Sequence, residues 1–254
     1  MATNQHSQRW KTALILLGII ALVAILDSKF ITWLFFGVVF AFAVKESLAL
    51  FKIDAEVEVI ATLGIIWIIS YFYPYPPELI FLGGMFLASL TAYSRNLSLK
   101  SITPILYPTA GILFFWALYL NYGMKSLFWL LVIVALSDVG AYYTGKKFGK
   151  RKFSPTSPNK TLEGVIGGLF FGALGGAWLL SKTYPEAFGT ILIITFLTSL
   201  TSIFGDLFES YLKREAGVKD SGDILPGHGG VLDRIDGYLF GSITLFILLN
   251  LLMK

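Results

Sequence analysis

Nine apolar segments separated by short polar stretches are the feature that most restricts how this chain can fold. They cover residues 12–26, 30–44, 57–73, 79–93, 102–120, 126–144, 162–181, 188–204 and 237–253. A membrane-spanning helix needs about 20 apolar residues, and the first two segments are short, which leaves open whether both of them span. Only 14% of all residues are charged, against about 25% in soluble domains. The sequence therefore predicts an all-α polytopic integral membrane protein with about nine transmembrane helices.

The placement of Lys and Arg predicts the orientation, because cytoplasmic loops carry an excess of these residues. With nine spans and a cytoplasmic N-terminus, sixteen of the 20 Lys and Arg residues fall on the cytoplasmic side. The remaining four are Lys29, Lys125, Lys182 and Lys254. This arrangement predicts an external C-terminus and two cytoplasmic polar loops, 145–161 and 205–236, at the cell (inner) membrane.

The composition excludes several kinds of chemistry. The chain has no cysteine, so it has no disulfide, thiolate metal site or cysteine nucleophile. Its two histidines, His6 and His228, are too few for a three-histidine metal site within one chain. The net charge of +4 is explained by the cytoplasmic loops, and we expect no nucleic-acid partner.

Acidic residues gather near the predicted cytoplasmic ends of the later segments. They are Asp138, Asp206, Glu209, Asp233 and Asp236. An ionisable group inside a span is costly and usually faces the protein interior, although one acid alone could simply cap or solvate a helix end. Several at one level favour a site, and oxygen-rich acidic groups suit Mg²⁺, which binds one or two carboxylates together with substrate phosphates. The neighbouring cations that would bind phosphate are Lys213, Arg214, Lys219 and Arg234.

Two glycine-containing stretches have different interpretations. Residues 223–230 form a flexible loop whose N–H groups can approach a phosphate, and His228 within it is either structural or a donor to phosphate. The glycines of residues 164–176 instead predict close helix packing in lipid. Before them, Thr161 is expected to cap a helix with Glu163 in its first turn, which is compatible with a binding role.

The stretch 210–236 resembles the signature of the phosphatidate cytidylyltransferase family, also called CDP-diacylglycerol synthases. The pattern Ser-x-x-Lys-Arg, Lys-Asp, Pro-Gly-His-Gly-Gly, Asp-Arg-x-Asp is matched at Ser210, Lys213, Arg214, Lys219, Asp220, Pro226, Gly227, His228, Gly229, Gly230, Asp233, Arg234 and Asp236. Similar supporting blocks occur at Ser137-Asp138, at 157–161 with Glu163-Gly164, and at Gly205-Asp206. The resemblance covers residues 101–254, which we take as the catalytic region, while residues 1–100 match only as N-terminal transmembrane helices.

The resemblance implies a membrane enzyme that converts CTP and phosphatidate into CDP-diacylglycerol and pyrophosphate. It further implies Mg²⁺, a second cation such as K⁺, and a homodimer in the lipid membrane. Asp206 and Asp233 are the implied metal ligands, with Asp138 as a further candidate. We assign catalytic roles to Lys213, Arg214, Lys219, Asp220, His228, Arg234 and Asp236, and substrate binding to Asn159, Lys160, Thr161, Glu163, Gly229 and Gly230.

Two alternatives differ in chemistry. A CTP-dependent kinase of a polyprenol-type lipid would need a base for the hydroxyl group and would release CDP. An ion-coupled transporter would spread its acidic residues through the membrane depth, whereas the acids here lie at one predicted level beside cations and glycines.

Overall fold

The structure is a computed structural model and describes residues 2–54, 56–94 and 97–252. The described residues form nine α-helices and no β-strand, with two isolated bridges, Lys152 to Thr161 and Leu225 to Gly229. The helices are α1 (Ala2–Leu26), α2 (Lys29–Phe51), α3 (Val57–Phe72), α4 (Leu79–Ser94), α5 (Ala110–Tyr122), α6 (Met124–Phe148), α7 (Leu162–Ser181), α8 (Phe188–Ala216) and α9 (Leu232–Leu252). The prediction of an all-α protein is confirmed, and each helix overlaps one of the nine apolar segments.

Within the described part of the chain, six helical segments are long and apolar enough to cross a membrane. They are Lys29–Phe51, Leu99–Tyr122, Met124–Phe148, Leu162–Ser181, Pro185–Ala216 and Leu232–Leu252. The second predicted segment belongs to this set because α2 extends beyond its apolar run. Trp10–Leu26 and Val57–Phe72 are shorter apolar helices. The count of nine spans stays a prediction, and the charge assignments of Arg95 and Lys254 lie outside the described residues.

The fifth apolar segment is not one continuous helix. A short 3₁₀ turn covers Leu99–Ile102, a wider turn covers Ile105–Thr109, and α5 begins only at Ala110. Tyr107, with φ −147° and ψ 116°, is extended inside the wider turn. Pro104 and Pro108 explain the break, because proline lacks an N–H donor and its ring clashes with the preceding helical turn.

Both polar loops are shorter than predicted because the flanking helices continue into them. Helix α6 ends at Phe148 rather than before Gly145, with Lys146 and Lys147 in its last turn. Helix α8 ends at Ala216, so residues 205–216 are helical, again with cations in the last turn. Positive charge is favourable at the C-terminal end of a helix, which is why these polar residues extend the helices. The connecting segments are residues 149–161 and 217–231.

Contacts between residues divide the chain into two compact units. One contains Met1–Leu120 and Glu215–Ile235, and the other contains Asn121–Arg214 and Asp236–Lys254. In the first unit, aromatic rings pack between helices, with Trp33 stacked on Trp67 at 5.9 Å. The buried Trp116 donates a hydrogen bond to Ser70 O at 2.8 Å.

The second unit is built on close contact between α6 and α7. A Cβ added at Gly168 would stand 2.9 Å from Ser137 O, and one at Gly164 would stand 2.9 Å from Ala141 O. The predicted packing role of these glycines is confirmed. Helix α8 contacts α7 as well, since Thr195 donates a hydrogen bond to Ala173 O at 2.9 Å.

Candidate active site

The connecting segment 217–231 folds back on itself through three glycines with positive φ. These are Gly217 at +80°, Gly227 at +75° and Gly229 at +81°. Such φ values are readily adopted only by glycine. The turn is closed by a hydrogen bond from Leu225 N to Gly229 O at 3.0 Å and one from His228 N to Leu225 O at 2.8 Å. The Pro-Gly-His-Gly-Gly stretch is therefore an ordered turn.

This turn encloses a polar cleft of about 550 Å³ within the first unit. Its lining residues are Lys219, Asp220, Gly222, Asp223, Leu225, Gly227, His228, Gly229 and Arg234. Five of the predicted site residues are thus brought together here. Cations and glycine backbone in one open cleft suit an anionic ligand, since glycines allow N–H groups to approach phosphate oxygens.

Asp233, a predicted metal ligand, lies in the first turn of α9 and is held by backbone donors. Its Oδ2 accepts hydrogen bonds from Gly230 N at 2.8 Å and from Ser221 N at 2.9 Å. Ser221 Oγ is 3.0 Å from the same oxygen. A Cβ added at Gly229 would stand 2.6 Å from Asp233 Oδ2, so the lack of a side chain there leaves room for the carboxylate.

Arg234 and His228 are linked through the backbone. Arg234 Nε donates to His228 O at 2.9 Å, which fixes the guanidinium beside the cleft. The His228 ring is partly exposed, and its Nδ1 lies 3.5 Å from Pro226 O. His228 therefore serves the turn through its backbone N–H and carbonyl groups and is one of the residues that line the cleft.

Glu46 is a residue of this unit that sequence reasoning missed. It is 4% exposed, near the end of α2, and accepts hydrogen bonds from Val231 N, Leu232 N and Ser221 Oγ at 2.8–2.9 Å. A signal was present, because Glu46 is an acid that lies two residues after the apolar run 30–44. The predicted acidic cluster contained only residues of the later segments.

In the second unit, Lys160 contacts Asp206, the other predicted metal ligand. Lys160 Nζ is 2.6 Å from Asp206 Oδ2, with the two side chains 24% and 36% exposed. Asp138 on α6 is exposed and interacts electrostatically with both Lys160 and Asp206. The structure therefore brings Lys160, Asp206 and Asp138 together, and the Asp206 carboxylate is accessible to a cation.

Lys213 has a different position from the one expected of a phosphate-binding residue. Its ammonium group is 2.6 Å from Glu209 Oε2, where Glu209 is fully buried and Lys213 largely so. The ion pair joins consecutive turns of α8. Arg214, the next residue, is exposed. Asp236 interacts electrostatically with Asp206 and Glu209. Lys213 thus neutralises a buried acid.

The end of the segment 149–161 is organised by the predicted cap. Thr161 Oγ1 accepts a hydrogen bond from Gly164 N at 3.1 Å, which confirms the cap. Glu163 Oε2 accepts from Lys150 N at 3.0 Å and Arg151 N at 3.2 Å. Asn159 is exposed. Thr161 and Glu163 thus shape the segment that presents Lys160.

The donor groups are compatible with Mg²⁺ bound partly through substrate. Among the residues that the structure describes, no three His, Cys, Asp or Glu side chains are grouped to hold a metal ion. Mg²⁺ does not need such a cage, because it typically takes one or two carboxylates and completes its shell with water and phosphate oxygens. Asp233 and Asp206 each offer a carboxylate of this type, one in each unit.

Similarity to known proteins covers almost the whole chain. The model of the cytidylyltransferase family matches residues 7–252. A phosphatidate cytidylyltransferase of Helicobacter pylori strain J99 is 40% identical over 248 residues, which are 98% of this chain and 93% of that protein. A phosphatidate cytidylyltransferase of Thermotoga maritima is 36% identical over 189 residues, 70% of each chain. One from Bacillus subtilis is 46% identical over 133 residues, 52% of this chain and 49% of that protein.

Proposed function

This chain belongs to the cytidylyltransferase family, and from that premise we propose that it transfers the CMP group of CTP to phosphatidate, giving CDP-diacylglycerol and pyrophosphate. The observation that best supports this activity is the cleft of the first unit. Lys219, Arg234 and a glycine-rich backbone converge there beside Asp233. Such a cleft suits the phosphates of a nucleotide.

The main requirement of the reaction is to reduce repulsion between the two anionic substrates, and removal of a proton is less important. A phosphate oxygen of phosphatidate bonds to the α-phosphorus of CTP, and the bond from that phosphorus to the bridging oxygen breaks, which releases pyrophosphate. The attacking phosphate is already anionic near neutral pH, so the main obstacle is repulsion between two anions. Lys219 and Arg234 reduce this repulsion by placing fixed positive charge at the cleft. The hydrogen bond from Arg234 Nε to His228 O holds the guanidinium group at the ordered turn 225–229 before substrate arrives.

In the second unit, Lys160 and Arg214 are the cations that we assign to phosphate or nucleotide. Lys213 forms an ion pair with buried Glu209, so we propose that it supports the site by neutralising that acid. Asp220 and Asp236 either orient the cationic groups of their own units or complete the metal shell. Asn159 lies beside Lys160 and contributes to nucleotide binding through the segment that Thr161 and Glu163 stabilise.

We infer Mg²⁺ dependence, with Asp233 and Asp206 as oxygen ligands and Asp138 as a further candidate. When bound, Mg²⁺ neutralises charge on the phosphates. A second cation such as K⁺ and a homodimer are proposals that follow from the family resemblance.

We propose nine spans with a cytoplasmic N-terminus, an external C-terminus and an active site that faces the cytoplasm at the inner membrane. The distribution of Lys and Arg supports this orientation. Aromatic residues, which are enriched at both membrane interfaces, accompany lysines on both proposed sides. The outer pairs are Lys29 over Tyr71 at 4.7 Å, Lys125 over Trp129 at 5.6 Å and Lys182 over Trp178 at 4.4 Å. The cytoplasmic pairs are Lys146 over Tyr142 at 5.7 Å and Lys147 over Phe148 at 5.2 Å.

The activity is tested with purified protein, phosphatidate, Mg²⁺ and CTP labelled at either the α- or the γ-phosphate. We expect the α-label in lipid and the γ-label in pyrophosphate. In a parallel assay with a polyprenol in place of phosphatidate, a γ-label found in lipid, with CDP released, would identify a lipid kinase instead. The variant Asp233→Asn should insert and fold but lack turnover, and near-normal turnover would contradict the metal-ligand assignment without affecting the assigned activity.

A further inference from the structure

Glu46 forms a buried contact with the segment that precedes α9. Its Oε1 accepts a hydrogen bond from Val231 N at 2.9 Å, and its Oε2 accepts from Leu232 N at 2.8 Å and from Ser221 Oγ at 2.9 Å. Because a buried carboxylate is costly without hydrogen-bond donors, these three donors explain how Glu46 is accommodated at 4% exposure. The contact ties α2 to residues more than 170 positions later in the chain.

The surrounding segment is shaped to admit the Glu46 carboxylate. A Cβ at Gly222 would stand 2.7 Å from Oε1, and one at Gly230 would stand 2.5 Å from Oε2. Glycines at both positions let the backbone approach the acid closely. Leu232 is the first residue of α9, so the carboxylate also lies at the positive end of a helix, where negative charge is favourable.

The same backbone holds Asp233. Ser221 Oγ lies 2.9 Å from Glu46 Oε2 and 3.0 Å from Asp233 Oδ2, and Asp233 N donates back to Ser221 Oγ at 3.3 Å. Gly230 N, adjacent to the Val231 N–H that binds Glu46, donates to Asp233 Oδ2 at 2.8 Å. The donors that orient Asp233 are therefore fixed by the donors that bind Glu46.

We propose that Glu46 is a positioning residue for this reaction: it anchors residues 221 and 230–232 so that the Asp233 carboxylate is oriented for a divalent cation. This inference rests on the proposed role of Asp233 as a Mg²⁺ ligand. Glu46 itself contacts backbone and Ser221, so it acts through Asp233. Residues that orient metal ligands typically change metal affinity or activity by about 10–100-fold when they are replaced.

The test is Glu46→Gln, with Ser47→Ala as the matched control. Glutamine keeps the size of the side chain but places an NH₂ group against at least one of the donors. Ser47 is the next residue on α2 and is also buried, yet its hydroxyl donates only to Val44 O at 2.8 Å. Purified proteins are titrated with Mn²⁺ and free Mn²⁺ is followed by EPR. The Mg²⁺ activation curve and the thermal melting temperature are measured in parallel.

We expect Glu46→Gln to weaken Mn²⁺ binding and to raise the Mg²⁺ needed for half activation, each by about tenfold or more. Ser47→Ala should leave both at the wild-type values. If Glu46→Gln lowers only the melting temperature and leaves Mn²⁺ affinity unchanged, the residue is merely structural and the inference is wrong. Should Glu46→Gln not fold, Glu46→Asp decides, because it keeps the carboxylate but withdraws it from the Val231 and Leu232 N–H groups and leaves Ser221 and Asp233 unchanged.

The variant Asp233→Asn tests the proposed metal role of Asp233 separately from the proposed positioning role of Glu46. If it binds Mn²⁺ as tightly as the wild type, the proposed metal role of Asp233 is wrong, whatever Glu46 does. Where Asp233→Asn loses Mn²⁺ binding and both Glu46→Gln and Glu46→Asp retain it, only the inference about Glu46 is overturned.

Discussion

At the level of single residues, alanine substitutions at two glycines with the same backbone conformation distinguish the effect of backbone strain from the effect of a changed active-site geometry. Gly217 and Gly229 have φ of +80° and +81°. Left-handed backbone costs an L-residue about 1–2 kcal/mol, so alanine at either position should lower the free energy of unfolding by about that much. Only at Gly229 would the new Cβ meet Asp233 Oδ2, whereas nothing lies within 4 Å of it at Gly217.

Gly229→Ala should therefore also reduce turnover, by about 100-fold, since small displacements of reacting groups can cost that much. Gly217→Ala should keep near-normal turnover at temperatures where it is folded. Thermal melts and initial rates measure the two effects. Equal loss of turnover in both variants would show that strain alone is responsible.

Lys160 provides a second residue-level prediction. An ion pair that is as exposed as Lys160–Asp206 contributes only about 0–1 kcal/mol to stability. Lys160→Ala should therefore leave the melting temperature nearly unchanged while it lowers kcat/KM for CTP by about 100-fold, the typical cost of removing a charge-stabilising group. Lys152→Ala on the same segment, where the side chain is exposed, is the control and should retain near-normal kinetics. Comparable loss in both variants would indicate a general effect of loop charge.

At the level of elements, the contact of α6 and α7 depends on glycine. A Cβ at Gly168 would stand 2.9 Å from Ser137 O and 3.1 Å from Ala141 Cβ, both on α6, whereas Gly84 on α4 has nothing within 4 Å. Overpacking typically costs about 1–3 kcal/mol. Gly168→Ala should lower the melting temperature in detergent, and Gly84→Ala should not. Unchanged melting of Gly168→Ala would mean that the two helices can separate without loss.

The sequence was informative where one physical rule dominated. The lengths of the apolar segments predicted the helices. Small residues at helical spacing predicted the packing face of α7. The loop boundaries were wrong because Lys146, Lys213 and their neighbours were counted as loop, although cations extend helix C-termini favourably. The position of Glu46 after an apolar run marked it as a candidate, but no local pattern encodes its pairing with Ser221 and the Val231 and Leu232 N–H groups far along the chain.

For the candidate site, too, local sequence patterns predicted some features and missed others. The spacing of the signature identified the residues that line the cleft of the first unit, because the cleft is made almost entirely from one contiguous stretch. It did not reveal that Lys213 serves Glu209 or that Lys160 contacts Asp206. Those pairings depend on the register of α8 and on where the segment 149–161 ends, and both are set by three-dimensional packing.

At the level of the whole molecule, the family signature is shared between the two compact units. Residues 219–234 belong to the first unit, while Lys213, Arg214 and Asp236 belong to the second. Residues 1–100 thus form part of the same unit as the cleft and contribute Glu46 to it. The predicted boundary at residue 101 stays a prediction, and the contacts of Glu46 show that a residue before it binds the segment around Asp233.

The orientation of the whole chain is open to a direct test, because the protein has no cysteine. Helix α4 has 16 residues, or about 24 Å of helix, less than the roughly 30 Å hydrocarbon core. It crosses only if the bilayer thins locally, which has a modest cost. Single cysteines at exposed Tyr75 and Lys100, on either side of α4, and at Glu186 and Lys152, on either side of α7, report each crossing.

We expect a membrane-impermeant maleimide applied to intact cells to label Tyr75→Cys and Glu186→Cys. Lys100→Cys and Lys152→Cys should react only after permeabilisation, since both lie on the side where Lys and Arg are concentrated. Turnover of each variant confirms that it is folded. Labelling of Lys152→Cys from outside would reverse the proposed orientation. Labelling of Tyr75→Cys and Lys100→Cys from the same side would show that α4 does not span, and the number of crossings before the catalytic segments would then change by one.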